Sequence, residues 1–257
     1  MKISAVIIAG NEEEKIADAI RSVEWADEVL VIDSESTDRT CEIAESLGAR
    51  VIIRLWPGFS AQKQFGTEAA SFDWILSLDA DERISPGLRE EIQSIQQRSD
   101  NQSTDGYRIP RLTHYMGRPI RHSGWYPDWQ LRLFDRRKGK WKDVLVHESV
   151  GMLPDAKIEK LSGDILHFTA NGALHHHEMI GTRYAPLAAR QMLADGKRTS
   201  PLRIATAGFI AFFSAYVLKL GFLDGVPGFC IARFASHHAF LKHLYLWELQ
   251  NRAETRV

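Results

Sequence analysis

The sequence predicts an α/β fold: a mostly parallel sheet flanked by helices, followed by a helical C-terminal extension. Three observations carry this. Short, uninterrupted apolar runs alternate four times with helical patterns in the first hundred residues, and strands that are apolar on both sides belong to parallel sheets covered on both faces. After residue 106 strand-like segments follow one another without helices between them, and from 171 onward the pattern is helical. With 257 residues, 44% of them hydrophobic, the chain can bury one large domain with an appendage. The expected division is 1–170, split near 100 into two halves, and 171–257.

Each element has a local reason. ISAVIIA (3–9) is rich in β-branched residues and reads as a buried strand. Asn11 can cap the next helix; Glu12, Glu13 and Glu14 suit its first turn, and Ile16, Ala19, Ile20 and Val23 recur at helical spacing. EVLVIDS (28–34) is a second strand. Ser36 or Thr37 can cap a helix through Leu47, which Gly48 ends. RVIIR (50–54) is a third strand, and a loop with Pro57 and Gly58 leads to a helix near 60–70. WILSLDA (74–80) is the fourth strand, and Pro86 opens a helix to about Arg98. SDNQSTDG (99–106) is a polar hinge. YRIPRL, QLRLFDR, KWKDVLVHE and DILHFT then read as antiparallel strands.

Charge and cysteine usage narrow the setting. Residues 171–257 hold ten Lys/Arg and five Asp/Glu, a balance of +5, against 22 and 28, or −6, in residues 1–170. The basic end is expected to meet something anionic; no nucleic-acid partner is expected. Cys41 and Cys230 lie far apart and have no metal-ligand spacing, so both are read as reduced and cytosolic. MKISAVIIAGNEEE turns acidic after seven apolar positions and reads as a first strand rather than a signal peptide.

The run WILSLDADE ends a greasy strand in three acids, Asp79, Asp81 and Glu82. In open α/β sheets ligands bind at the carboxyl ends of the strands, where Asp33 and Asp79 both fall. Asp79 and Asp81 are two apart and project alike from extended backbone. Like charges this close repel unless a cation sits between them. A hard ion such as Mg²⁺ or Mn²⁺, bridging the carboxylates to a diphosphate, accounts for the cluster. The competing reading is that the pair only caps the helix near Pro86.

The stretches VIIAGNEEEKIADAIRSV, VLVIDSESTDRT and WILSLDADE, in that order, resemble the signatures of family 2 glycosyltransferases with the GT-A fold. The resemblance implies a nucleotide-sugar donor. It implies that Ala9 to Glu12, with Asn11 between them, line the nucleotide pocket, that Asp33 contacts base or ribose, and that Asp79, Ala80 and Asp81 form the D-x-D segment whose acids hold the metal on the diphosphate. Asp38 belongs to the second signature, or only caps its helix. Neither G-x-x-x-x-G-K nor G-x-G-x-x-G follows the first strand, which disfavours P-loop and Rossmann readings. GWYPDWQLRLF, VHE (146–148), ILHFT (165–169) and FLDGVPGF (222–229) are similar to a bacterial subgroup, the β-1,4-glucosyltransferases of lipopolysaccharide inner-core assembly. That likeness implies inverting, metal-dependent transfer of a hexose, glucose in the subgroup, from a UDP-sugar to a lipid-linked saccharide acceptor. The alternatives are a polyprenyl-phosphate glycosyl synthase and a non-catalytic glycan- or nucleotide-binding module.

An inverting transfer needs one general base. Two acids compete. Glu148 lies where the family places its acidic base, or is a surface ion pair with a lysine; Asp128 sits in the aromatic YPDWQ loop, or is a turn residue after Pro127. The resemblance makes His167 a further metal ligand, against a hydrogen-bonded, partly buried histidine. His147 is read as bonding near the diphosphate or acceptor. Gln62 and Lys63 open a helix in a region that approaches the donor in the family, and helix N-termini favour anions. Arg132 meets phosphate or forms a structural salt bridge. Trp125, Tyr126 and Trp129 stack on sugar or simply pack. His175, His176 and His177 are consecutive on a helix, so they cannot share one metal.

IATAGFIAFFSAYVL (204–218) is fifteen residues without charge, short of the ~20 a membrane-spanning helix needs. Thr206, Ser214 and Tyr216 dilute it. An interfacial element docking on an anionic membrane surface fits better, with Arg183, Arg190, Lys197, Arg198 and Arg203 supplying charge; the competing reading is a pair of core helices. The expected location is the inner face of the bacterial cytoplasmic membrane, peripherally bound.

Overall fold

The computed structural model describes residues 1–97, 104–143, 148–168 and 172–254. It forms two compact units. The first is Met1–Leu112 with Asp128–Phe168; the second is Thr113–Pro127 with the C-terminal part of the chain. The segment 113–127, which the sequence boundary at 170 assigns to the first domain, thus groups with the helices.

In the first unit β1 (Ile3–Ala9), β2 (Glu28–Asp33), β3 (Arg50–Ile53) and β4 (Trp74–Asp79) run parallel in the order β3-β2-β1-β4. Helices α1 (Ile16–Val23), α2 (Thr40–Ser46), α3 (Phe59–Ala69) and α4 (Pro86–Gln97) are interleaved with them. The apolar face expected of α1 is the one it buries: Ile16, Ala19, Ile20 and Val23. Val6 and Ile32 look the other way and meet α3, which approaches closely because Gly66 has no side chain. β1 is buried throughout, whereas β3 leaves Ile53 exposed because it is the edge strand.

Beyond β4 the sheet becomes antiparallel. A short β5 (Glu82–Ile84), absent from the sequence reading, follows the turn at Ala80 and Asp81. β6 (Gly106–Tyr115) follows α4 and continues into the second unit, where its last residues pair with β7 (Arg118–Pro119). β8 (Asp128–Asp135) lies between β4 and β6, antiparallel to both. KWKDVLVHE does not form one long strand: β9 (Gly139–Trp141) pairs antiparallel with β10 (Val150–Met152), so Glu148 sits just before the returning arm. β11 (Ile158–Lys160) joins β6, and β12 (Ile165–His167) pairs with β5.

The expected caps of α1 and α2 are replaced by a different local solution. Neither helix has a side-chain cap. Asn11 takes a left-handed φ of 53°, donates from its backbone N–H to Ser36 Oγ (2.7 Å), and accepts from the Thr37 N–H at Oδ1 (2.9 Å). Asp38 accepts from the Glu13 N–H (3.1 Å) and the Thr40 N–H (3.0 Å). The polar residues after β1 and β2 therefore tie the two loops to each other, because joining two strand-end loops satisfies more backbone donors than capping either helix alone.

In the second unit α5 (Ala173–Met179) runs through a π-helical turn, Ile180–Tyr184, into α6 (Ala185–Ala194). α7 (Pro201–Phe213) starts at Ser200, whose hydroxyl accepts from the Arg203 N–H, and continues through a π-helical turn, Ser214–Leu218. A 3₁₀ turn, Gly221–Asp224, leads into the long α8 (Gly225–Glu254). α7 packs on α8 at Gly208, where a Cβ would lie 3.1 Å from Ser236 Oγ.

Candidate active site

Three parallel strands bring their carboxyl ends to one rim. Ala9 pairs with Asp33 and Ile8 with Asp79, so both acids end their strands at the same level. The chain then turns at 80–81 instead of continuing extended. Asp79 and Asp81 consequently meet different partners. Asp81 Oδ2 lies 3.3 Å from His167 Nε2, brought there by the pairing of β12 with β5. Asp79 turns to Lys63 Nζ at 2.9 Å and Arg132 Nη2 at 3.3 Å. Ala80 is buried and donates its N–H to the Ile8 carbonyl (3.1 Å), which locks the turn to β1.

Asp79 belongs to an alternating chain of ionised groups. Lys63 Nζ, buried on α3, also bridges to Glu148 Oε1 (3.1 Å). Arg132, buried on β8, bridges Asp79 to Glu82 Oε1 (3.2 Å). Glu82, fully buried on β5, accepts the Asp79 N–H (3.0 Å) and meets Arg111 Nη1 (3.2 Å). Arg111, on β6, closes on Asp128 Oδ2 through Nε (2.9 Å) and Nη2 (2.7 Å). The order Glu148–Lys63–Asp79–Arg132–Glu82–Arg111–Asp128 alternates in sign at every step. The five interior ions persist there because each has a counter-charge on both sides.

This arrangement sets the titration of the acids. Burial would raise the Asp79 carboxyl, but the Lys63 ammonium and Arg132 guanidinium outweigh it and hold it well below the usual carboxylate range. Burial opposes ionisation of Glu148 too, and Lys63 again reverses the sign, so Glu148 is lowered. Burial works against the Arg132 charge, and Glu82 and Asp79 overcome it. Among the described residues five buried polar atoms in this region have no hydrogen-bond partner: Arg132 Nε and Nη1, Trp141 Nε1, Gln62 Oε1 and Asp79 Oδ1, the last lying in ion-pair range of Lys63. Lys63 Nζ lies 5.1 Å from the Trp141 ring centroid.

The two candidate bases differ in what already occupies them. Both Asp128 oxygens accept hydrogen bonds, Oδ2 from Arg111 and Oδ1 from Gln130 Nε2 (2.7 Å); the residue opens β8 rather than standing in a turn. Among the described residues Lys63 is the one cation within ion-pair distance of Glu148, with Arg132 acting from further away, and the Glu148 side chain is 24% exposed. Asp33 is placed differently from the reading of its sequence position. It is fully buried, and Ser36 bonds both its oxygens through N–H (2.8 Å) and Oγ (2.5 Å). The left-handed φ of Glu35, 56°, folds the loop back over it, so Ser36 supplies the polar surface there. Burial and the Asp33 carboxylate push the Cys41 thiol up to about 11. Gln62 is buried with Nε2 on Ser34 Oγ (3.2 Å), and Glu12 pairs with Lys15 (3.1 Å) and donates its N–H to Thr40 (2.8 Å). His147 lies outside the described residues.

The aromatic and histidine candidates mostly pack. Trp129 lies under Lys160 (4.4 Å) in the first unit. In the second, Trp125 contacts Tyr115 and His176, and Arg121 lies over Tyr126. His176 is set between Tyr115 and Phe234, while His177 stacks on His237. Glu82 and Arg111 were not singled out in the sequence. Glu82 stood in the acidic cluster, and its position directly after the turn is the only available cue; Arg111 has none beyond strand alternation. A cleft of about 410 Å³ among Glu24, Asp27, Glu28 and Arg50 lies at the amino end of β2, away from the carboxyl rim where ligands of open α/β sheets bind.

Among the described residues no three His, Cys, Asp or Glu side chains converge to hold a metal by themselves. Asp81 with His167 offers one carboxylate and one imidazole. That donor set fits a divalent ion that takes its remaining ligands from water and phosphate. Asp79 already faces two cations.

A half-parallel, half-antiparallel sheet with helices around it and an acidic carboxyl rim defines the class, a GT-A transferase. Residues 4–153, more than half of the chain, match the model of glycosyl transferase family 2, and the chain belongs to that family. It is 34% identical over 262 residues to an uncharacterized glycosyltransferase of Rickettsia bellii, covering 96% of this chain and 87% of that one. It is 30% identical over 248 residues to the lipopolysaccharide core biosynthesis glycosyltransferase LpsC of Rhizobium meliloti, covering 94% and 90%.

Proposed function

We propose that this protein is an inverting hexosyltransferase that moves glucose from UDP-glucose to the saccharide core of a lipopolysaccharide or a related lipid-linked glycan, at the inner face of the bacterial cytoplasmic membrane. The observation that carries the reading is the sharing of the buried Lys63 ammonium by Asp79, at the rim, and Glu148, two residues before β10. It sets an ionised, partly exposed carboxylate beside the D-x-D strand end. The name of the LpsC relative supports the acceptor class.

The donor nucleoside would lie along the stitched loops, with Asn11 and Ser36 at its surface and Asp33 behind them. Phosphoryl oxygens would satisfy the Arg132 and Trp141 N–H groups that have no acceptor. Asp81 and His167 would hold Mg²⁺ or Mn²⁺, which offsets the charge developing on the diphosphate leaving group. Glu148 acts as base: the acceptor oxygen bonds the anomeric carbon, the bond to diphosphate breaks with its electron pair, and the acceptor proton passes to the Glu148 carboxylate. Lys63 keeps that carboxylate ionised before the step. Arg111 and Gln130 leave Asp128 a positioning part.

The test is release of UDP from UDP-glucose by the full chain, with purified core saccharide in one arm and polyprenyl phosphate in the other. Release that requires the saccharide supports the reading. Release only with the lipid phosphate selects a polyprenyl-phosphate glycosyl synthase instead. No acceptor-dependent release with any nucleotide sugar would reduce the protein to a binding module.

A further inference from the structure

We propose that the outer face of α7 and the turn after it form a docking surface that lies in the headgroup plane of an anionic lipid bilayer. This deepens the membrane-side placement proposed above and rests on it.

The face is built by helical spacing. Leu202, Phe209, Phe213 and Val217 recur along one side of Pro201–Leu218 and are exposed, Phe209 by 79%. Leu220, then Phe222 and Leu223 of the following turn, and Val226 at the start of α8 add to it, all exposed. Of the 18 residues of this segment only Ala215 is buried. A continuous apolar surface of this kind marks an interaction site.

The charge around it selects the occupant. Residues 197–223 contain Lys197, Arg198, Arg203 and Lys219 and no Asp or Glu; all four cations are exposed. The next acid, Asp224, is buried and accepts from the Arg121 N–H (3.3 Å), the His122 N–H (2.8 Å) and His122 Nδ1 (2.8 Å). Lys197 pairs with Asp195 (3.0 Å), whereas Arg203 and Lys219, one towards each end of the apolar stripe, have no carboxylate partner among the described residues. A second copy related by a two-fold axis would set the same cations against each other. Anionic headgroups answer both the charge and the apolar side chains.

Packing excludes a span. Eighteen residues extend roughly 27 Å, near the ~30 Å hydrocarbon thickness, but the inner side of the segment is covered by α8. Phe212 and Tyr216 pack edge-on against Phe229 at 5.9 and 5.8 Å, and Gly208 lies against Ser236. Immersing α7 would carry α8 with it, including Arg233, Lys242 and Glu248.

The experiment is co-sedimentation of the full chain with phosphatidylcholine vesicles, with and without phosphatidylglycerol, at low and high salt. Binding should require phosphatidylglycerol and weaken with salt. Arg203→Gln and Lys219→Gln should each weaken it about fivefold. Phe209→Glu should weaken it roughly ten- to hundredfold, with an unchanged melting temperature because the side chain is exposed. If the wild type binds no vesicle, the membrane placement itself falls. If the wild type binds and all three variants bind equally well, the placement stands and this face is the wrong one. A dimer in solution that Phe209→Glu dissociates would assign the face to a second copy instead.

Discussion

Glu148 and Asp128 are both carboxylates beside a cation, yet their surroundings set them different tasks. Asp128 spends both oxygens on Arg111 and Gln130, whereas Lys63 is the one cation within ion-pair distance of Glu148 among the described residues. Glu148→Gln keeps size and hydrogen-bonding reach but loses basicity, so kcat should fall ~10²–10⁴-fold while calorimetric donor affinity persists. Asp128→Asn should cost less; a dead Asp128→Asn beside a nearly normal Glu148→Gln would exchange the two roles. The metal question needs equal care over the choice of residue. Asp79→Asn does more than alter a ligand set, because it strips a counter-charge from buried Lys63 and Arg132. Among the described residues the Asp81 side chain pairs with His167 alone, so Asp81→Asn is the cleaner probe. Manganese titration of the full chain with UDP, followed by electron paramagnetic resonance, should show binding that Asp81→Asn abolishes. Equal binding in wild type and variant would remove Asp81 from the ligand set.

α3 delivers Lys63 and Gln62 to the rim, and it does so by lying unusually close to the sheet. A Cβ at Gly66 would fall 2.5 Å from Val6 Cγ1 and 3.0 Å from Ile32 Cγ1, both in well-packed strands. Gly66→Ala should therefore push α3 outward, destabilise the fold by about 1–3 kcal/mol, and lower activity by moving Lys63; a more stable, fully active variant would contradict the close approach. α5 offers a second test. Burial, with the neighbouring His175 charge, pushes His176 down to about 4, so the folded imidazole is neutral where an unfolded one (about 6.5) begins to charge. Its contribution to stability is complete above about pH 6.5 and is lost as pH falls toward 4. A nuclear magnetic resonance titration of the His176 ring should show a midpoint near 4, and one near 6.5 would mean that the aromatic setting against Tyr115 and Phe234 does not hold in solution.

Across the molecule, the alternating chain makes acid stability a property of the site. The carboxyls of Asp79 and Glu148 are depressed by Lys63, so their stabilisation is complete above the unfolded carboxylate range, about pH 4, and is lost as pH falls through their lower folded values. The melting temperature should be insensitive to these groups from pH 8 to about 5 and drop below about 4. Asp79→Asn should flatten that acid limb and cost roughly 3 kcal/mol at neutral pH, the low end for breaking a buried pair because Glu148 and Glu82 remain. Unchanged acid sensitivity in the variant would show that the chain is not what holds this rim.

Periodicity and punctuation determined much of this protein in advance. Four apolar runs, the face Ile16–Ala19–Ile20–Val23, the stop at Gly48 and the start at Pro86 are local signals, and the strands and helices they announce are present. The acids at the ends of β2 and β4 were legible as a rim for the same reason. What only the tertiary structure decided is which charge meets which. Lys63 and Glu148 are 85 residues apart, and Arg132 and Glu82 are 50 apart, so no local period relates them. Their partnership depends on β8 entering antiparallel beside β4, on the short β5 after the turn, and on Gly66 letting α3 lie close to the sheet. The turn at Ala80 separated Asp79 from Asp81, and the loop at Glu35 buried Asp33. Burial makes an ion's partner obligatory, and burial is settled between elements rather than along the chain.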